Sequence, residues 1–269
     1  LHEQSRQLTA VLETAGDAVI TADSQGRIHY FNPAAEAMFG YKAGDMVGAK
    51  LNDLMPEPHA THHDEYLARY EREGQPRVIG QGRELEALRA DGTRFPMELN
   101  VTDTGLTNPR LFVGIIRDIS ERKQAEEAER NLAERLRLAT AQLRRGRLSA
   151  ADSIAHAVLG RATAGDSSHV RIGQSLHVRG TVARRRGQLP RADLLYSAAR
   201  QAYRAAGPGA HWWTAVVQMR RAQGQKARGD YATAELLLVR AHDRLCRERG
   251  TPDHYTKQAR RALASLYGA

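Results

Sequence analysis

The 269-residue chain holds one cysteine, Cys246, which excludes an internal disulfide and any cysteine-rich metal site. No stretch approaches 18 apolar residues, which excludes a conventional membrane helix. A phosphate loop is also missing. Gly80-Gln81-Gly82-Arg83 lacks both the strand–turn–helix setting and the lysine that such a loop needs. There is no phosphoacceptor helix with a glycine-rich ATP domain, no cyclase or phosphodiesterase output, and no Ser/His/Asp set distinguishable from chance, so the chain is not expected to be an enzyme. Acidic residues are scarce in one half alone. Residues 1–118 carry 12 Lys and Arg against 18 Asp and Glu, a net of −6, and residues 119–269 carry 28 against 13, a net of +15. The overall +9 therefore describes neither half, and the length suits two domains.

In the acidic half, Leu8, Val11 and Leu12 fall at helical spacing before Gly16, which predicts an N-terminal helix over 1–14. Residues 18–22 and 27–31 read as a hairpin around the turn 23–26. Asn32 is an N-cap with Pro33 in the first helical position and Gly40 as the stop. Short helices from Ala43 and over 51–55 follow, then a longer one from His62 to Arg72. Three patterned runs come next, over 77–88, 93–103 and 110–118. Phe95, Met97, Leu99 and Val101 alternate in the second, with Pro96 favouring an edge or a bulge, and Leu111, Val113 and Ile115 alternate in the third.

DAVITADSQGRIHYFNPAAEAMFGY (17–41), RADGTRFPMELNV (89–101) and DISERK (118–123) resemble a PAS domain. LMPEPHATHHDEYLARY (54–70) with PRVIGQGRELEALRADGTRFPMEL (76–99) is similar to the oxygen-sensing haem PAS domain of the FixL sensor kinases. The resemblance implies an α+β fold over 15–120, with a five-stranded antiparallel sheet and flanking helices. It also implies an interior pocket, with candidate residues Tyr30, Phe39, Tyr66, Tyr70, Arg77, Ile79, Arg83, Leu99 and Ile115. Arg77 stands where that family carries its axial histidine, and a guanidinium has no lone pair for iron. The cysteine-bearing helix of flavin light sensors is absent as well. No haem and no flavin are expected, and the pocket is left for an unidentified small molecule.

Ala125, Ala128, Leu132, Leu136, Ala139 and Leu143 recur at steps of three and four, which predicts a connecting helix over 121–144. Three segments then align without gaps: Gly146-Arg-Leu-Ser-Ala-Ala-Asp152, Gly187-Gln-Leu-Pro-Arg-Ala-Asp193 and Gly229-Asp-Tyr-Ala-Thr-Ala-Glu235. The step is 41 and then 42 residues. Each glycine permits a tight turn between two helices, and the alanine five residues later permits their close approach. The segments resemble tetratricopeptide repeats, so residues 145–269 are expected to be an all-α, tetratricopeptide-like solenoid. The helices are expected over 130–144, 148–162, 169–186, 189–205, 211–228, 231–248 and 254–267.

Arg144-Arg145, Arg184-Arg185-Arg186 and Arg220-Arg221 precede the repeat glycines, and Arg260-Arg261 takes a comparable place in the last unit. Arg184, Arg185, Arg186, Arg220, Arg221, Arg260 and Arg261, with Trp212 and Trp213, are the candidate partner-binding residues. The arginine runs read first as solvated helix C-termini, where the dipole favours them, then as a docking surface for an acidic protein segment, and then for nucleic acid. His59 and His63 share a helix face, but no third ligand accompanies them, so no metal is expected. The reading is a cytoplasmic, non-enzymatic signalling protein without a membrane segment. A PAS input or dimerisation domain, homodimeric through itself and the adjoining helices, is coupled by a helix to a protein-binding repeat scaffold. A haem or flavin sensor and a nucleic-acid-binding regulator are the alternatives.

Overall fold

The computed structural model describes residues 16–73, 82–105, 109–164 and 168–268. The chain divides into two compact units, Leu1–Ala125 and Glu126–Ala269. Arg77 and Ile79 lie outside the described residues, as does the expected helix over 1–14.

In the first unit β1 (Ala18–Asp23), β2 (Ile28–Phe31), β3 (Arg83–Leu88), β4 (Arg94–Asp103) and β5 (Leu111–Asp118) form one antiparallel sheet in the order β2-β1-β5-β4-β3. Helices α1 (Pro33–Phe39), α2 (Ala43–Met46) and α3 (His59–Glu73), with a 3-10 turn at Leu51–Leu54, occupy the stretch between β2 and β3. Asn32 starts α1 as the sequence predicts, and its buried side chain does more than cap. Its Oδ1 accepts from Ala35 N and from Val19 N, both at 2.9 Å, and its Nδ2 donates to the Asp17 carbonyl at 3.2 Å.

Three sequence expectations are corrected here. Thr21 pairs with Tyr30 and Ala22 with Ile28, so His29 is an extra residue. This bulge turns both Ile28 and Phe31 to the core and leaves Tyr30, opposite Thr21, on the other sheet face. In β5 the core face is Phe112, Gly114 and Ile116, while Ile115 is 46% exposed. The run LFVGII is apolar on both faces, so its alternation carries no polar marker of register. Pro96 sits in β4, which is flanked on both sides rather than at an edge. Its missing N–H falls beyond the end of β5, and its carbonyl accepts from Ile119 N at 3.0 Å.

The second unit is all-helical. Helix α4 (Ser120–Arg144) begins in the first unit and ends in the second. It is followed by α5 (Leu148–Ala164), α6 (His169–Arg185), α7 (Leu189–Ala205), α8 (His211–Ala227), α9 (Tyr231–Arg249) and α10 (His254–Tyr267). Along α4, Leu132, Leu136, Ala139 and Leu143 are buried, whereas Ala125 and Ala128 are exposed.

The three repeat glycines adopt the same left-handed conformation, with φ of 77° at Gly146, 75° at Gly187 and 80° at Gly229. Each turn makes the same set of bonds. The glycine N–H reaches the carbonyl three residues back, and the next N–H reaches five back, to Gln142, Ala183 and Gln225 respectively. Ala151, Ala192 and Ala234 are all buried at the helix contact. Two residues after the glycine, Leu148 and Leu189 are half-buried while Tyr231 is 55% exposed, so packing over the turn is not uniform.

The carboxylate six residues after each glycine reaches a later helix. Asp152 pairs with Arg179 at 3.1 Å and Arg186 at 3.7 Å, Asp193 takes Arg221 through two bonds of 2.7 and 3.2 Å, and Glu235 accepts from the Tyr267 hydroxyl.

Candidate functional site

The first unit encloses a cavity of about 490 Å³ between the inner sheet face and α3. Alternation places Ile20, Ala22, Leu85, Met97, Leu99, Val101, Phe112 and Ile116 on its floor, and Phe39, Leu51, Leu54 and Met55 line its side. Gly114 pairs with Ile20 in the middle of the sheet, and its lack of a side chain leaves room above the floor.

Helix α3 contributes His59, His63, Tyr66, Leu67, Arg69 and Tyr70. It rides close to the β1–β2 turn, where the Leu67 side chain lies 3.2 Å from the Cβ position of Gly26, a glycine with φ of 72°. His63 Nδ1 is buried there with no hydrogen-bond partner. Burial, opposed by the charge of Asp64 and aided by that of Lys50, pulls the His63 pKa below its ordinary value.

One end of the cavity is closed by Tyr70, packed edge-on against Phe112 at 5.7 Å. The Tyr70 hydroxyl donates to Asp103 at 3.2 Å, and Arg110 donates to the same carboxylate oxygen through Nε at 3.0 Å and Nη2 at 2.6 Å. These bonds hold the Asp103 carboxyl below the usual carboxylate range, led by Arg110. The sequence gives little sign of this trio, because Tyr70 lies 33 residues from Asp103 and 40 from Arg110 along the chain. At the mouth stands Arg83, opposite Leu99 in the β3–β4 register and exposed.

Of the pocket candidates, Phe39, Tyr66, Tyr70, Arg83 and Leu99 line this cavity, and Tyr30 and Ile115 do not. Among the described residues no three His, Cys, Asp or Glu side chains converge as a metal site. No helix among them is long and apolar enough to cross a membrane.

Residues 6–119 match the family model of the PAS fold. This half of the chain is a PAS domain. Sensor protein FixL of Bradyrhizobium diazoefficiens is 37% identical over 126 residues, which cover 47% of this chain and 25% of that protein. The oxygen sensor protein DosP of Escherichia coli is 26% identical over 113 residues, 42% of this chain and 14% of that one. A solved PAS domain of an HTR-like protein from Haloarcula marismortui is 26% identical over 44% of this chain and 100% of its own, with a TM-score of 0.37. The chain spans about a quarter or less of the length of these curated relatives. PAS domains of this kind belong to signalling proteins such as FixL, and this one shares their sensor fold.

In the helical unit the partner-binding candidates separate by role. Arg186 and Arg221 are engaged with Asp152 and Asp193 and hold neighbouring helices together. Arg260 and Arg261 are exposed on α10. Trp213 stacks on Tyr203 at 5.5 Å and on Trp212 at 4.2 Å, and Tyr255 lies within 6 Å of both tryptophans. Arg249 lies over Trp212, 4.7 Å from its ring centre.

His177, which sequence reasoning passed over, sits edge-on to Tyr196 and to Trp213 at about 6 Å from each. Burial, followed by the charge of Arg220, pushes its pKa down to about 3. An imidazole kept neutral in the fold but titrating near 6.5 when unfolded makes the unfolded chain bind more protons below that pH. Its contribution is therefore fully present above about pH 6.5 and is lost as pH falls towards 3. Between pH 7 and pH 5 the loss amounts to about 2 kcal/mol. Thermal melts across that range should show a shallower decline in His177→Phe than in the parent. Parallel declines would mean that His177 protonates freely in the fold.

Proposed function

We propose that the chain is a non-enzymatic signalling module whose PAS half senses a small, mainly apolar molecule and whose helical half is a tetratricopeptide-like scaffold that binds protein. The observation that carries the sensing role is the cavity, with a largely apolar floor, polar groups supplied by α3 and by Asp23, Arg83 and Glu86 of the strands, and a size suited to a small ligand. The names of FixL and DosP, a sensor protein and an oxygen sensor, support the signalling class.

The donor set does not fit the haem that FixL-type resemblance implies. Position 77 carries a guanidinium instead of an imidazole. On α3, the His63 Nδ1 is packed against the Gly26 turn. The scaffold role is supported by three turns of the same geometry, 41 and 42 residues apart, and by the buried alanines that follow them. Helix α4 belongs to both units, which supports its role as the coupling element.

Native mass spectrometry of the full chain tests the reading. The expected result is a dimer that retains a small molecule, with no Soret or flavin absorption band. Leu99→Trp, which fills the cavity floor, should lose the retained mass and keep the dimer. An empty parent chain, or equal retention by Leu99→Trp, would overturn the sensing role.

A further inference from the structure

The helices that follow the repeat glycines, α5, α7 and α9, carry equivalent faces. Each starts from the same left-handed turn and buries the alanine five residues after its glycine. Counted from Gly146, Gly187 and Gly229, the residues at steps of 3, 4, 7, 10, 11 and 14 form a stripe about 120° wide on the side opposite that alanine. All eighteen are exposed or half-buried, and Arg191, Arg240 and Asp243 are the charged ones among them, a net of +1. Residues 119–269 as a whole carry +15. The charge of the helical unit therefore lies elsewhere, and this face is close to neutral.

The face protrudes at one end and is hollow at the other. Seven residues after the glycines stand Ser153 on α5, Leu194 on α7 and Leu236 on α9. Leu194, at 73%, is the most exposed large apolar side chain among the described residues, and Leu236 and Val239 are 48% and 39% exposed. On α5 the stripe includes Ser153, Ala157 and Gly160, and nothing lies within 4 Å of the Cβ position of Gly160. Exposed leucines at repeated positions mark a contact surface. Each of the three helices has at least 17 residues, so its stripe measures about 26 Å by about 10 Å. Together the three offer on the order of 800 Å², what each partner gives to a stable interface.

We propose that a second copy of this chain covers the face, in a two-fold contact that sets α7 against the partner's α7 and α9 against the partner's α5. Two strongly basic units repel one another except where a near-neutral face lets them approach. A two-fold axis normal to the face reverses both the order and the direction of the helices, so the ridge of α9 falls on the hollow of α5, and does so twice. With the axis beside Ser197 and Ala198, Leu236 meets the partner's Gly160, Asp243 meets the partner's Ser153, and Leu194 covers the methylenes of the partner's Gln201. Neither a membrane surface nor an unrelated protein accounts for a ridge and a hollow that fit each other. The contact lies within the helical units and is independent of the sensing role of the PAS domain.

The test uses the full chain with Cys246→Ser as background and a short bismaleimide as cross-linker. Ser197→Cys places one thiol beside the axis in each copy, and Arg261→Cys, on exposed α10, is the control. Cross-linked dimer from Ser197→Cys is expected at a rate at least tenfold above the control, and adding Leu194→Asp and Leu236→Asp should return it to the control rate. Both leucines are exposed within one chain, so the aspartates leave its own packing intact. Vesicles of phosphatidylglycerol are run alongside with the same proteins.

Equal rates at positions 197 and 261, or a rate at 197 that the two aspartates do not change, would overturn the proposal. So would co-sedimentation with the vesicles that the aspartates abolish and that replaces cross-linking. A dimer in native mass spectrometry with no cross-link at 197 would overturn this contact alone. Cross-linking at 197 in a chain that retains no small molecule would support it and overturn the sensing role.

Discussion

Alanine at Gly173 or Gly180 is expected to destabilise the helical unit by about 2 kcal/mol, although alanine is the better helix former by about 1 kcal/mol. Both glycines lie inside α6, against α7. A Cβ at Gly173 would stand 2.6 Å from the Tyr203 ring, and one at Gly180 would stand 2.8 Å from the Tyr196 ring. The rings cannot retreat, because Tyr196 is 1% exposed and Tyr203 is fully buried. Tyr196 is also tied through its hydroxyl to Thr181, 3.1 Å away, and Tyr203 is stacked on Trp213. The added methyl must therefore push α6 away from α7. Gly160 and Gly224 are also helical, but nothing lies within 4 Å of their Cβ positions, so alanine there should stabilise. Thermal melts of the four single variants decide the matter. Losses of roughly 6 °C at 173 and 180, against gains at 160 and 224, are the expected pattern. Gains at all four would mean that the aromatic contact is loose.

Asn32→Ala is expected to cost the PAS domain about 3 kcal/mol, more than an ordinary helix cap. The Asn32 side chain joins three pieces of backbone: the start of α1, the N–H of Val19 in β1 and the carbonyl of Asp17. Its loss leaves buried donors without acceptors where no water enters. Asn32→Asp keeps both accepted bonds but sets a carboxylate oxygen towards the Asp17 carbonyl, so it should recover little. Urea unfolding followed by far-ultraviolet dichroism measures both variants. A loss below 1 kcal/mol for Asn32→Ala would reduce the residue to a solvent-compensated cap.

The helical unit was the more legible half, because a repeated turn announces itself by its step. Gly146, Gly187 and Gly229 fixed the helix ends to within one or two residues. Gly173 was legible in principle, since it precedes Gly180 by seven residues and falls on the same helix face. The PAS sheet was legible wherever polar residues marked one face, as in β4. It was not in β5, where both faces are apolar, nor at His29, where one extra residue reverses the faces. The arginine ridge was misleading as a single feature. Charge in sequence does not say which guanidiniums are matched, and the aspartates that claim Arg179 and Arg221 lie 27 and 28 residues away.

The carboxylates that tie one helix to a later one also grade the unit along its length. Asp152 and Asp193 are answered by arginine, whereas Glu235 is answered by the phenol of Tyr267, which is 67% exposed. A solvent-washed bond from a neutral phenol to a carboxylate is weaker than an ion pair sheltered between helices. Fraying therefore starts at α10 and proceeds inwards. Amide protons of α10 should be the first of the array to exchange with solvent, while those of α6 and α7, locked around two buried tyrosines, should be the last.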